Sequence, residues 1–255
     1  MKMYMIDLDG TMYRGTAIID GAKDFIDYLI ETNQKFVFLT NNAKRTKAQN
    51  VEHMVKMGYE HIKEEHFFTS AMASARYVKK HYKGNKAYYI GQDGLKEALL
   101  DNGFILSEDE VDHVFVGLDA YGTYEKYSKA LSYLLKGANL IGTNNDRLLA
   151  KPDGFNVGNG SIVAMFEYAI HKESPKIGKP YAPILEEACE YFNIDKEDAI
   201  IVGDNLETDI LLGMREQVET IFVTTGVHQI EDIERYHIQP DRVVNNLSEL
   251  IQPKK

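Results

Sequence analysis

Short apolar segments alternate with helical patterns along almost the whole of this 255-residue chain. MYMIDL at 3–8 and KFVFLT at 35–40 have the continuous hydrophobicity of strands that are buried on both faces. Further strands are predicted at 87–90, 113–118, 139–143, 199–203, 220–225 and 242–244. Helices are predicted at 21–32, 45–57, 70–82, 93–102, 123–136, 160–172, 181–193, 206–215 and 230–236, with a terminal helix. Because this alternation is typical of parallel sheets, we predict an α/β fold with helices on both faces of the sheet.

Charge and cysteine content narrow the class of protein. The formal net charge is −10, and so acidic a surface repels a nucleic-acid backbone. No apolar run approaches the ~20 residues of a membrane-spanning helix. The N-terminal MKMYMIDLDG carries two aspartates where a secretory signal needs an uncharged apolar stretch. The single cysteine, Cys189, cannot form an intrachain disulfide and fits a reducing compartment. We therefore expect a cytoplasmic protein with neither a nucleic-acid nor a membrane partner.

Two aspartates come at the end of the first predicted strand. Asp7 and Asp9 are two residues apart and would share one face of a regular strand, and Gly10 allows a sharp turn after them. Ligands of open α/β sheets bind beyond the carboxyl ends of the strands. Two close carboxylates repel each other, and a divalent cation relieves that repulsion. The alternative is an Asp-Gly turn that the aspartates serve by turn chemistry alone.

Two further motifs carry groups that suit a phosphate. The strand at 35–40 ends in Thr40, followed by Asn41 and Asn42, whose hydroxyl and amide donors can bind phosphoryl oxygens. The alternative for these residues is a helix N-cap. Lys179 lies between a glycine and a proline in IGKP (177–180), which holds it off a helix, and its ammonium can neutralise phosphate and carboxylates together. Taken alone, it would be interpreted as a solvated surface lysine.

The segment GDNLETDI (203–210) follows the apolar strand AIIVG and carries the last pair of acidic residues. Asp204 stands at the strand end, and Asp209 lies five residues further on. One carboxylate can bind a metal while the other supports a metal-bound water or the lysine. A plain helix cap is the alternative for Asp204. If the strands lie side by side, all these motifs meet at one edge of the sheet, and we expect a site there.

In this order the motifs resemble those of the haloacid dehalogenase superfamily. The corresponding residues are Asp7 with Asp9, Thr40, Lys179, and Asp204 with Asp209. The TNN and GDNLETDI forms are similar to the branch that contains the NagD-type and 4-nitrophenyl phosphatases. The resemblance covers essentially the whole chain. It implies a Rossmann-like core formed by 1–78 and 176–255, and an α/β cap domain inserted at 79–175.

The resemblance also implies a chemistry, magnesium-dependent hydrolysis of small phosphate monoesters such as nucleotide monophosphates or sugar phosphates. Asp7 is expected to attack phosphorus and form an aspartyl-phosphate, and Asp9 to act first as general acid and then as general base. Mg²⁺ is expected to be held by a side-chain oxygen of Asp7, the Asp9 carbonyl and Asp204, with Asp209 orienting a bound water or Lys179. The expected phosphate-binding residues are Thr40, Asn41, Asn42 and Lys179.

The expected cap covers the site and contacts the leaving group. Its predicted specificity residues are Asn144, Asn145 and Asp146, with Lys151 and Asn159 as further candidates. The motifs serve the phosphate, so they do not identify the alcohol attached to it. Caps of this kind mediate dimers in some family members, which leaves a homodimer open here.

Two other classes of function use similar residues. Acidic residues at strand ends with a lysine also describe a phosphate-accepting regulatory switch, in which an aspartate is phosphorylated for signalling. The long insertion and the presence of Asp9 and Asp209 argue against it, and many turnovers of phosphate release would exclude it. A non-hydrolytic small-molecule binding protein on the same fold is the second alternative, and it would be expected to have lost a motif residue.

Overall fold

A computed structural model describes residues 2–151 and 154–252 of the chain. The strands are β1 (Met3–Ile6), β2 (Tyr13–Arg14), β3 (Ala17–Ile18), β4 (Lys35–Thr40), β5 (Phe67–Thr69), β6 (Lys86–Ile90), β7 (Ile105–Leu106), β8 (His113–Val116), β9 (Asn139–Gly142), β10 (Leu148–Lys151), β11 (Gly154–Val157), β12 (Ala199–Gly203), β13 (Glu219–Val223) and β14 (Arg242–Val244). The α-helices are α1 (Ala22–Glu31), α2 (Lys47–Lys56), α3 (Ser70–His81), α4 (Asp93–Asp101), α5 (Tyr124–Leu135), α6 (Asn159–Ile170), α7 (Ala182–Phe192), α8 (Leu211–Glu216) and α9 (Asp232–Tyr236).

The chain packs as two units, each with its own sheet. Unit 1 consists of Met1–Thr40, Lys47–Phe68 and Ala188–Lys255. Unit 2 consists of Asn41–Thr46 and Thr69–Glu187. The predicted division into a core and a cap at 79–175 stays a prediction. Among the described residues, no helix combines the length and apolar character needed to cross a membrane.

Unit 1 is built on a six-stranded sheet in the order β14-β13-β12-β1-β4-β5. β1 lies between β12 and β4 and runs parallel to both, with Ile6 opposite Val202 on one side and Phe38 on the other. Strand β4 is buried from Phe36 to Thr40, as expected for a central strand covered on both faces. The carboxyl ends of β1, β4 and β12 therefore lie at one edge of the sheet.

Helix α1 illustrates how the pattern of apolar residues selects the buried face in unit 1. Phe25, Ile26 and Leu29 recur at helical spacing, and all three are buried in the core of the unit. Their burial removes large apolar side chains from water, at roughly 1.5–3 kcal/mol each. The helix ends at Glu31 with Thr32 as its C-cap, and Asn33 follows in the left-handed region with φ of 53°.

Unit 2 contains a four-stranded parallel sheet in the order β7-β6-β8-β9. Its core is formed by strand residues such as Tyr88 and Val114 with Tyr133 of α5 and Phe166 of α6. Strands β10 and β11 form a separate antiparallel hairpin in which Leu148 is paired with Val157. The prediction of an α/β protein with a parallel sheet flanked by helices is confirmed.

Several local predictions were wrong in detail. The strand predicted at 3–8 ends at Ile6, and the one predicted at 113–118 ends at Val116. The helix predicted at 206–215 begins as a π-helical turn over Leu206–Ile210, and the terminal helix is a 3-10 turn over Leu247–Leu250. The hairpins β2–β3 and β10–β11 and the short strand β7 were not predicted.

Candidate active site

Three carboxylates meet at the carboxyl edge of the sheet in unit 1. Asp7, Asp204 and Asp209 each offer one carboxylate oxygen, and these oxygens lie within 4.8 Å of one another. Asp7 follows β1 and Asp204 follows β12, so the pairing of the two strands brings together residues from opposite ends of the chain. Carboxylate oxygens are the donors that Mg²⁺ and Ca²⁺ prefer, and the cluster therefore fits a hard divalent cation.

Asp204 is buried and is held through both of its oxygens. The Thr11 hydroxyl donates to Oδ1 at 2.9 Å, and the Val227 N–H donates to Oδ2 at 2.7 Å. Two glycines leave room for this carboxylate: a Cβ at Gly10 would lie 2.4 Å from Oδ2, and one at Gly226 would lie 1.8 Å from it. These contacts fix the orientation of the Asp204 carboxylate before any metal ion binds.

Asp209 is buried on the π-helical turn that follows β12. Its Oδ2 accepts a hydrogen bond from the Asn205 N–H at 3.2 Å. The Asn205 Oδ1 accepts from the Glu207 N–H at 2.9 Å and so caps the start of the turn. A Cβ at Gly203 would lie 2.3 Å from the Asp209 carboxylate. The glycine at the end of the strand is therefore required for Asp209 to pack against the backbone.

Asp7 and Asp9 follow β1 and lie outside the strand, and Asp9 forms an isolated β-bridge with Tyr13. The Asp7 N–H donates to the Val202 carbonyl at 2.8 Å, and its side chain is half-buried. The carbonyl of buried Leu8 accepts from the Met12 N–H at 2.8 Å, and Gly10 has φ of 96°, which L side chains rarely adopt. Asp9 is exposed. The expectation that the two aspartates share a strand face does not hold, because β1 ends before them.

Thr40 is the last residue of β4, the neighbour of β1 on the side away from β12. It is buried, with 3% of its surface exposed. Unit 1 thus holds five of the predicted site residues, namely Asp7, Asp9, Thr40, Asp204 and Asp209. Their individual roles stay predictions.

The remaining predicted residues belong to unit 2, where four of them form a hydrogen-bonded group. The Asn41 Nδ2 lies 3.0 Å from the Asp146 Oδ1 and 3.0 Å from the Lys179 carbonyl, and the Lys179 N–H donates to the Asn41 Oδ1 at 2.8 Å. The Asn144 Nδ2 donates to the Asn41 carbonyl at 2.8 Å. Asn41, the lysine segment IGKP and the predicted specificity residues Asn144 and Asp146 are therefore linked inside this unit.

The other predicted residues of unit 2 have smaller parts in the geometry. The Asn42 Oδ1 accepts from the Lys44 N–H at 3.1 Å. Asn145 is half-buried. Asn159, a candidate for substrate contact, is 2% exposed, and its Nδ2 donates to the Val116 carbonyl at 3.0 Å. It therefore links α6 to the end of β8. The side chain of Lys151 lies outside the described part of the structure.

Sequence reasoning missed the residues that support Asp204. Thr11 and Val227 hold its carboxylate, and the His228 N–H donates to its carbonyl at 3.3 Å. The His228 Nδ1 accepts from the Leu206 N–H at 3.1 Å, and burial lowers the pKa of this imidazole. A signal was available: GVH (226–228) follows the strand predicted at 220–225, and so it is a further strand end at the same edge of the sheet.

Comparisons with known proteins match nearly the whole chain. The family model described as haloacid dehalogenase-like hydrolase matches residues 4–105, and a HAD-hydrolase-like model matches residues 176–250. The acid sugar phosphatase of Staphylococcus aureus strain MRSA252 is 39% identical over 251 residues, which are 98% of this chain and 96% of the relative.

Two solved structures extend these similarities to the fold. The p-nitrophenyl phosphatase from Archaeoglobus fulgidus superposes with a TM-score of 0.89 at 30% identity, covering 98% of each chain. NagD from Escherichia coli K-12 superposes with a TM-score of 0.89 at 29% identity, again covering 98% of each chain.

Proposed function

Because this chain belongs to the haloacid dehalogenase-like hydrolases, in the branch of NagD and the 4-nitrophenyl phosphatases, we propose that it hydrolyses small phosphate monoesters with Asp7 as a covalent nucleophile and Mg²⁺ as cofactor. The chain is a phosphoric monoester hydrolase. The observation that carries the mechanistic part is the convergence of Asp7, Asp204 and Asp209 within 4.8 Å. A carboxylate that serves as nucleophile next to two others needs a positive charge beside it.

In the proposed reaction, an Asp7 carboxylate oxygen forms a bond to phosphorus while the bond from phosphorus to the ester oxygen breaks. Asp9 gives its proton to the departing alcohol oxygen. A water then attacks the phosphorus of the aspartyl-phosphate, Asp9 takes a proton from that water, and phosphate leaves with Asp7 restored. The exposed position of Asp9 supports this role, because a group that exchanges protons with water needs access to it.

The residues proposed to hold the ion are Asp7, the Asp9 carbonyl and Asp204, with Asp209 in support. A bound Mg²⁺ would offset the repulsion between the anionic nucleophile and the anionic phosphate. Thr40 and Asn42 are proposed to bind phosphoryl oxygens. Lys179 is proposed to supply a fixed positive charge, and its burial with 3% of its surface exposed supports a role other than that of a solvated surface lysine.

We propose sugar phosphates as the first substrate class to examine, since a relative that shares 39% identity is named an acid sugar phosphatase. Nucleotide monophosphates are the second class. The net charge of −10 supports a small metabolite over a nucleic acid as the partner. We also propose a cytoplasmic location, which the single cysteine supports. A homodimer is part of the same proposal.

The decisive experiment is a phosphate-release screen over a panel of monophosphorylated metabolites, with and without Mg²⁺. We expect many turnovers on at least one sugar phosphate and none after chelation of the metal. Asp7→Asn keeps the size of the side chain but lacks the nucleophilic oxygen, and should lose at least about a thousandfold in kcat. If Asp7→Asn turns over like the unaltered enzyme, the proposed mechanism is wrong.

A further inference from the structure

The side chain of Asn41 is engaged on every side within unit 2. We propose that Asn41 is a positioning residue, which fixes the backbone of Lys179 to the loop that carries Asp146, and that it is not a side-chain donor to the phosphoryl group. This inference rests on the proposed function for its catalytic meaning, because Lys179 is the group whose position matters. The bonding arrangement itself is independent of the reaction.

The bonding capacity of the Asn41 amide limits what else this side chain can bind. A carboxamide has two N–H hydrogens and one carbonyl oxygen. In Asn41 one hydrogen points to the Asp146 carboxylate and the other to the Lys179 carbonyl, both at 3.0 Å from Nδ2. The Oδ1 accepts the Lys179 N–H at 2.8 Å. A bond from this side chain to a phosphoryl oxygen would have to replace one of these.

Asp146 determines which way the Asn41 amide faces. A carboxylate only accepts hydrogen bonds, so it selects the Nδ2 side of Asn41 and leaves Oδ1 for the Lys179 N–H. A bond to a charged acceptor is also stronger than a neutral one. The Asp146 N–H in turn donates to the Asn144 Oδ1 at 3.2 Å, and the Asn144 Nδ2 donates to the Asn41 carbonyl. These hydrogen bonds form a closed circuit that links Asn41, Asp146 and Asn144.

The close approach of the lysine segment to Asn41 requires a glycine at position 178. Gly178 precedes the lysine, and a Cβ there would lie 2.7 Å from the Asn41 Oδ1 and 2.8 Å from the Asn144 Cβ. Only a residue without a side chain allows the lysine segment to approach the amide this closely. The glycine of IGKP and the asparagine of TNN therefore serve one arrangement, although they are far apart in sequence.

The arrangement gives Asp146 a role that differs from direct recognition of the leaving group. Fixed charges stabilise a transition state only when they are held in place in advance. A shift of about 1 Å in a catalytic group costs roughly a hundredfold in rate. Through Asn41, the loop at 143–146 controls where the backbone of Lys179 lies.

The first test measures the bond without reference to catalysis. Hydrogen exchange is followed by mass spectrometry in a peptide covering 176–181 of the full chain. Asn41→Ala should speed exchange there, because the Lys179 N–H loses its acceptor. Asn102→Ala is the matched control, since it removes an amide that bonds only the Ala98 carbonyl at the end of α4. Unchanged exchange at 176–181 in folded Asn41→Ala overturns the inference.

The second test is a double-mutant cycle on hydrolysis of 4-nitrophenyl phosphate, using Asn41→Ala, Asp146→Ala and the pair. If Asn41 acts through this circuit, each single change lowers kcat by about tenfold to a hundredfold, and the pair is no worse than the worse single. If Asn41 were a direct phosphate donor, the two losses would multiply. Asn41→Ala would then also weaken inhibition by inorganic phosphate.

Asp146→Asn provides the conservative variant, and it also serves if Asn41→Ala fails to fold. It keeps an oxygen that accepts from Asn41, so it should retain most of the activity and normal exchange at 176–181. A loss equal to that of Asp146→Ala with normal exchange at 176–181 would mean that Asp146 acts through its charge and not through Asn41, and would overturn the positioning role. A loss accompanied by faster exchange at 176–181 would support that role. Failure of the proposed function looks different, because the unaltered enzyme would then release no phosphate while the exchange result still stands.

Discussion

At the scale of single residues, the carboxylate of Asp204 is held through both of its oxygens. One of its oxygens accepts from a hydroxyl and the other from a backbone N–H, so the plane of the carboxylate is fixed before any ligand arrives. Partners of this kind typically change metal affinity by about tenfold to a hundredfold when they are removed. The hydroxyl of Thr11 is the partner that a substitution can remove.

We expect Thr11→Val to weaken the apparent affinity for Mg²⁺ by about tenfold, because valine keeps the volume of threonine but cannot donate to Asp204. The value of kcat at saturating Mg²⁺ should change less. The measurement is phosphate release as a function of Mg²⁺ concentration. Thr32→Val is the control, since the Thr32 hydroxyl bonds the Tyr28 carbonyl at the end of α1. An unchanged Mg²⁺ dependence would show that the Thr11 bond is dispensable.

At the scale of secondary-structure elements, unit 2 contains an ion group between α3 and the first half of α7. The Glu187 side chain is 5% exposed and accepts from the Arg76 Nε at 3.0 Å and from the Lys80 Nζ at 2.7 Å. The two cations lie one helical turn apart on α3, and so they reach the same carboxylate. A buried carboxylate with two cationic partners contributes to stability only while all the charges remain paired.

We expect Glu187→Gln to lower the free energy of unfolding by about 2 kcal/mol, since it leaves two cations facing a neutral amide in a partly buried place. Glu186→Gln is the matched control, because Glu186 is the exposed neighbour on the same helix. Urea denaturation followed by circular dichroism measures both variants. Equal urea midpoints for the two variants would mean that the ion group adds nothing measurable to the free energy of unfolding, as is common for solvent-screened ion pairs.

The elements that were predicted well from the sequence are those whose continuous apolar residues indicate a buried strand. Strand β4 is apolar from Phe36 to Leu39 and lies between β1 and β5 in its sheet. The hairpin β2–β3 was missed because its strands have two residues each, too few to show a period. The π-helical start at Leu206 was missed because the deviation depends on Asp209 packing against Gly203, which is a tertiary contact.

The site divides in the same way. The motifs at the strand ends predicted that Asp7, Asp9, Asp204 and Asp209 would meet, because adjacent parallel strands end at one edge of a sheet. The segment 41–46 gave no local sign that it packs in unit 2. It is held there by distant partners, including the Gly94 N–H, which donates to the Lys44 carbonyl at 2.9 Å. The bonds of Asn41 could not be predicted for that reason.

At the scale of the whole molecule, buried histidines link stability to pH. Burial lowers the pKa of His113, which lies on β8 with none of its surface exposed, and burial also lowers the pKa of His66. Below a pH of about 6.5 these two histidines bind protons in the unfolded chain but remain neutral in the folded protein. Their contribution to the free energy of unfolding is therefore fully present above that pH, and it is lost as the pH falls toward the pKa values of the folded protein.

We expect the melting temperature to fall between pH values of about 6.5 and about 5, and His113→Phe to make that fall smaller. The slope belonging to one histidine is at most about 1.4 kcal/mol per pH unit. Scanning calorimetry at several pH values gives the slope separately from any general loss of stability. His81→Phe, at the exposed end of α3, is the comparison. If both variants show the same slope, His113 is not a source of the acid sensitivity.

The glycines around the acidic cluster limit how this sequence can vary. Methyl groups at Gly10 and Gly226 would overlap the Asp204 carboxylate, and one at Gly203 would overlap that of Asp209. The obstacle at each position is a carboxylate that the proposed reaction needs, so we expect no compensating change nearby to clear the space. In a saturation library selected for turnover, these three codons should return glycine alone, while Gly15, with nothing within 4 Å of its Cβ position, should admit asparagine and aspartate.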